Sequence, residues 1–211
     1  FWRDWNGYSY STNYGMGEAL VTTQKDGKSI VITTRMASAG GDNLFASRLN
    51  LDGSVDESYR FNTPFASLSN FGRTQVASII TDPISDKTLV LFTAFNYSGK
   101  SFGVMRIEKD GNVDQSFGDS GITYLELDPY ASVTGIESLN YCPQMVIDPA
   151  NGNITISATY LSQDNRNKSD LYITRILENG ARDTSFGNNG TIIDDLGLNY
   201  PESIGGITLQ A

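Results

Sequence analysis

Histidine is absent from the 211 residues, and cysteine occurs once, at Cys142. The first absence removes Ser-His-Asp triads, Cys-His dyads and imidazole metal ligation. The second excludes an intrachain disulfide and a CxxC zinc or redox site. Cys142 follows Tyr141 and reads as a small buried residue. Basic residues are few, 15 Lys and Arg against 24 Asp and Glu, giving a formal net charge of −9. Such a surface repels polyanions, so neither nucleic acid nor acidic lipid is an expected partner. No run of about eighteen apolar residues occurs, and no membrane insertion is expected. Phosphate loops also fail. Gly27-Lys28-Ser29 and Gly99-Lys100-Ser101 imitate the end of one, but the earlier glycine it requires falls at Thr22 and Ala94. Both lysines read as parts of ordinary turns or loops.

What remains is glycine, aromatic and β-branched text. There are 21 glycines, 11 tyrosines and 10 phenylalanines, with 39% hydrophobic and 18% charged residues. That balance is globular, and its punctuation predicts short strands joined by tight turns.

The strongest signal is internal repetition. Residues 48–59, 106–117 and 175–186 align without gaps. They share Arg, Leu or Ile, two variable positions, Asp or Asn followed by Gly, two variable, Asp, one variable, Ser, and an aromatic. The pattern residues are Arg48, Gly53, Asp56, Ser58 and Tyr59; Arg106, Gly111, Asp114, Ser116 and Phe117; Arg175, Gly180, Asp183, Ser185 and Phe186. A second similarity precedes each copy: residues 20–32, 78–91 and 145–156 read as strand, tight turn, strand, and Asp26-Gly27 and Asn151-Gly152 supply the positive φ that short hairpins need.

One unit is therefore four strands. In the second unit they are expected at 76–81, 88–95, 102–108 and 122–127. A polar insertion, 162–170, lengthens the third unit and is expected to be a surface loop. The units run about 16–70, 71–131 and 132–199. Residues 202–211 read as the start of a fourth, with 207–211 as its first strand. Residues 1–15 stand apart as an aromatic cap or connecting segment.

The motif with its tail, Ser116-Phe117-Gly118-Asp119-Ser120-Gly121 and Ser185-Phe186-Gly187-Asn188-Asn189-Gly190, resembles the delta-60 repeat of large bacterial secreted and surface proteins. The first copy departs, since Arg60-Phe61 replaces the glycines. The resemblance implies an all-β, β-propeller-like stack of four-stranded antiparallel sheets, three full blades and the first strand of another, and says little about activity. It also implies an extracellular or bacterial cell-surface location. A four-stranded sheet cannot bury its own faces, and radial stacking covers them. About four to eight blades close a ring, so the parent protein is expected to continue beyond Ala211, with a partner chain as the other route to closure.

The motif aspartates are suited to accept backbone N–H bonds and fix a turn, and the aromatic that follows can fill the space between sheets. This is similar in logic to the Asp-box of sialidase-type propellers, where the motif is structural. The recurring arginine reads as a hydrogen-bonder to carbonyls or to the motif aspartate, with an anion site as the sharper idea. No cofactor is expected. Calcium at Asp110-x-Asn112-x-Asp114 is the alternative, but Gly121 stands where a loop's terminal glutamate belongs.

No catalytic residue is marked. A glycosidase needs only two carboxylates, and isolated acids such as Glu137 and Asp194-Asp195 read as rim residues. Trp2, Trp5, Tyr8 and Tyr10 are the binding candidates, aromatics of the kind that stack on sugars or protein surfaces. The expected function is a non-catalytic surface module for adhesion or assembly. Its partners would be proteins, further blades of the same chain, or a glycan. A carbohydrate-binding or carbohydrate-active propeller is the alternative.

Overall fold

The turn chemistry yields eleven strands in a computed structural model that describes residues 19–35, 43–59, 61, 73–96, 99–125, 143–161, 169–194 and 204–210. The first sheet holds β1 (Leu20–Thr23), β2 (Ser29–Arg35) and β3 (Asn43–Leu49). The second holds β4 (Arg73–Thr81), β5 (Thr88–Asn96), β6 (Gly99–Ile107) and β7 (Ile122–Leu125). The third holds β8 (Gln144–Ile147), β9 (Ile154–Leu161), β10 (Ser169–Ile176) and β11 (Thr191–Asp194). Each is an antiparallel meander in chain order, and the described residues contain no helix. The fold class is all-β, as the sequence implies.

Strand composition follows the number of faces each sheet must bury. In β5 the run Leu89-Val90-Leu91-Phe92 is buried throughout. Val90 and Phe92 pack with Ile30, Ile32 and Leu44 of the first sheet, while Leu89 and Leu91 pack with Ile154, Ile156 and Tyr172 of the third. Period-two alternation thus feeds two cores from one strand. In β4 a register irregularity between Val76 and Ser78 accompanies the same division, with Val76 and Ile79 on one core and Ala77 and Ile80 on the other. By contrast β9 alternates apolar with polar from Ile154 to Thr159, and its apolar residues Ile154, Ile156 and Ala158 join a single core. The first strands of adjacent sheets are tied together, with the Thr81 N–H donating to Thr22 Oγ1 at 3.1 Å.

Three expectations need correction, and a fourth, the strand over 122–127, is met as far as Leu125 with 126–127 outside the described residues. The third strand of the second unit starts at Gly99 rather than 102, so Gly99-Lys100-Ser101 lies in a strand. The cause is backbone pairing, since Asn96 to Thr93 lie opposite Gly99 to Phe102 and continue the ladder. Ser169 and Asp170 belong to β10, opposite Leu161 and Tyr160, rather than to the insertion loop. Residues 204–210 form no ladder, so 207–210 are not in a strand. The first unit's fourth strand would fall where most residues lie outside the described set.

Candidate functional site

The repeated motif is the most highly organised polar feature among the described residues, and its construction is local. After β3, β6 and β10 the chain makes a tight turn in which the N–H of Gly53, Gly111 and Gly180 donates to the carbonyl of Asn50, Glu108 and Leu177, at 2.9 Å each time. It returns as a single bridge, Leu49 to Val55, Ile107 to Val113 and Ile176 to Arg182. The motif aspartate then turns the chain again. Asp114 Oδ1 accepts from the Ser116 N–H at 3.0 Å and its hydroxyl at 2.6 Å. Asp56 does the same with Ser58 and Asp183 with Ser185. The second carboxylate oxygen faces the arginine, with Nε of Arg48, Arg106 and Arg175 at 3.0, 2.6 and 2.6 Å from Oδ2 of Asp56, Asp114 and Asp183. Each guanidinium also lies over its motif aromatic, 5.0 Å from the Tyr59 ring, 4.7 Å from Phe117 and 4.6 Å from Phe186.

A lysine completes two of the three clusters. Lys28 Nζ is 2.7 Å from Asp56 Oδ2, and Lys87 Nζ is 2.7 Å from Asp114 Oδ2 and 2.9 Å from Glu108 Oε1. Asn153 holds the corresponding place in the third unit. The sequence reading missed these lysines, although both stand just before the second strand of a hairpin, and aligning the hairpins on their turns exposes them. The carboxyl of Asp56 is held far below the usual range by Lys28 and then Ser58. At Asp114 burial pushes the carboxyl up, but the bonds from Lys87, Ser116 and Arg106 together outweigh it and hold it well below that range. Asp183 is lowered by Ser185, against burial, and by Arg175. All three are ionised with both oxygens engaged, which suits them to pin backbone. Tyr59 lies buried with its hydroxyl lacking a hydrogen-bond partner, and burial pushes its phenol up.

The arginines also link sheets. Arg48 NH1 donates across the first interface to the Lys109 carbonyl at 2.6 Å. Arg106 NH1 donates across the second to the Glu178 carbonyl at 2.5 Å and to Glu178 Oε1 at 2.8 Å. Lys109 and Glu178 occupy the same motif position, just before the Asp/Asn-Gly pair. The second interface adds the Gly118 N–H to the Asn179 carbonyl at 2.9 Å and the Thr123 hydroxyl to the Gly180 carbonyl at 2.8 Å. Arg48 and Arg106 therefore each join their own turn to the turn of the next sheet.

The remaining candidates stay separate from these clusters. Trp2, Trp5, Tyr8, Tyr10, Glu137, Cys142 and Asp195 lie outside the described residues. Asp194 is exposed at the end of β11, opposite Leu171. At the calcium alternative, Asp110 accepts from the Asn112 backbone and side-chain amides, at 3.0 and 2.9 Å, while Asp114 faces two cations. Among the described residues no three His, Cys, Asp or Glu side chains converge as a metal site, and no helix is long and apolar enough to cross a membrane.

Residues 24–59 match the family described as "Domain of unknown function (DUF5122) beta-propeller". No curated protein matches the chain. Among solved structures, the Hadza microbial sialidase Hz136 superposes with a TM-score of 0.51 at 12% identity, over 79% of this chain and 36% of the sialidase. An endo-arabinase from Bacteroides thetaiotaomicron VPI-5482 gives 0.50 at 12% identity, over 90% of this chain and 66% of the arabinase. The chain thus spans about a third of one and two thirds of the other, and at such identity the likeness is one of fold. The matched segment contains the first motif copy, the one that departs most from the other two. With residues 24–59 matching that β-propeller family and three sheets stacked through one recurring turn, the architecture is that of β-propeller-like repeats.

Proposed function

We propose that this chain is a non-catalytic interaction module of the extracellular space or cell surface, in which a rigid stack of blades carries variable loops to a partner. The observation that supports it is the use made of the motif charges. The three motif acids and their arginines bind one another, and two of the arginines tie adjacent sheets. Such a scaffold leaves recognition to the connecting loops, where binding residues concentrate on rigid folds. The test is a binding screen of the purified chain against cell-envelope fractions and glycans, beside turnover assays on sialosides and arabinan. Saturable binding without turnover supports the module. Reproducible turnover with no binding partner overturns it.

The fold of the two solved neighbours favours a second reading, in which the partner is a carbohydrate and the chain binds or cleaves it. Trp2, Trp5, Tyr8 and Tyr10 are its candidates, since aromatic faces stack on sugar rings. Replacing Trp2 and Trp5 by Ala is expected to abolish glycan binding if they form that surface. Unchanged affinity in the double variant removes them from it.

A further inference from the structure

Each sheet interface has a donor side and an acceptor side, and among the described residues the third sheet carries a donor, and the first an acceptor, with no sheet docked on it. Arg48 faces the second sheet, opposite Ile30, and Arg106 faces the third, opposite Leu89. Arg175, opposite Thr155, points away from the second sheet. Among the described residues its guanidinium bonds to its own Asp183 and lies over its own Phe186, with no bond to another sheet. Its side chain is 33% exposed, against 12% for Arg48 and 6% for Arg106. Ile192 replaces Thr123 on the same surface, beside half-buried Leu171 and Ile173.

The first sheet shows the converse. Gly111 and Gly180 are buried, and a Cβ on Gly180 would meet the Gly118 nitrogen at 2.7 Å and Thr123 Oγ1 at 2.5 Å. Gly53, at the same motif position, is exposed and has nothing within 4 Å of its Cβ site. Leu51, at the position of Lys109 and Glu178, is 79% exposed, and Val21 on the outer face is 60% exposed. The carbonyls that would receive an arginine are thus in the open.

We propose that the Arg175 face of the third sheet docks on the Leu51–Gly53 turn of a second copy of this chain, repeating the interface already built twice within each copy. The contact is head to tail. Two such contacts related by a twofold axis close a ring of six sheets, within the range of about four to eight that propellers use. Arg175 NH1 then reaches the partner copy's Leu51 carbonyl as Arg106 reaches Glu178, and apolar side chains cover one another beside it.

Sedimentation equilibrium of the 211-residue chain, from micromolar to sub-millimolar concentration, tests this together with two variants. Two-chain mass is expected, and Arg175→Ala weakens association by about tenfold or more. Leu51→Glu places on the acceptor the carboxylate that Glu178 offers Arg106, so it strengthens association, and only while Arg175 is present. Thermal melts of both variants at dilution verify that the sheets remain folded. A monomer throughout the range overturns the proposal in favour of a further repeat unit of the same polypeptide as occupant. Association indifferent to both substitutions overturns it as well.

Discussion

Asp114 sits 3% exposed between Lys87 and Arg106 and has more at stake than its counterparts. Asp114→Asn removes the charge that offsets two cations and leaves buried Arg106 with only the exposed Glu178 carboxylate as counter-ion. Loss of one member of a buried pair costs about 3 kcal/mol or more. The same change at Asp183, with one arginine and no lysine, is expected to cost less; urea unfolding of the two variants checks the order. The carboxyls also set the acid limit. A carboxyl whose folded pKa is depressed stabilises the protein above its unfolded value, near 3.8 here, and that contribution fades as pH falls through the folded value. The melting temperature is therefore expected to hold level from about pH 5 to 8, where no histidine titrates, and to fall below about pH 4. Asp114→Asn flattens that acid slope. A wild-type midpoint near pH 6 in scanning calorimetry would contradict the assignment.

At the level of strands and turns, the sequence announced most of the second unit, because Asp-Gly turns and alternation set hairpin register before any tertiary contact forms. Where it misled, at Gly99-Lys100-Ser101 and Ser169-Asp170, polar residues sit in ladders whose register is fixed further along the strand. The side of the motif aspartate that meets its serine was legible from a two-residue spacing. A carbonyl acceptor for the arginine was expected too, but which carbonyl was not legible, since for Arg48 and Arg106 it lies in the following unit and is reached only once the sheets have docked. A matched pair of glycines isolates that docking. Gly180 and Gly53 have nearly equal φ, +88° and +81°, so Ala carries the same backbone strain at each, about 1 kcal/mol. Only Gly180 is pressed against the neighbouring sheet, and overpacking there adds about 1–3 kcal/mol. In dilute solution Gly180→Ala is expected to lower the melting temperature well below that of Gly53→Ala. Equal losses would mean that the turns do not bear on the interface.

For the molecule as a whole, a stack of repeats divides its stability between what each sheet has alone and what each interface adds. The middle sheet belongs to two interfaces and each outer sheet to one. The second strands β5 and β9 offer a controlled comparison, because both are hydrogen-bonded on two sides within a four-stranded meander. They differ in packing: β5 places Val90 and Phe92 in one core and Leu89 and Leu91 in the other, while β9 gives Ile154, Ile156 and Ala158 to a single core. Opening β5 breaks both interfaces and opening β9 breaks one, so amide exchange in dilute solution is expected to be slower across 89–92 than across 154–158. Equal protection would mean that the stack opens as one unit rather than sheet by sheet. The same amides report on the head-to-tail contact. If a second copy covers the Arg175 face, β9 gains the neighbour it lacks, and its exchange slows with concentration toward that of β5. Arg175→Ala cancels the concentration dependence while leaving β5 unchanged.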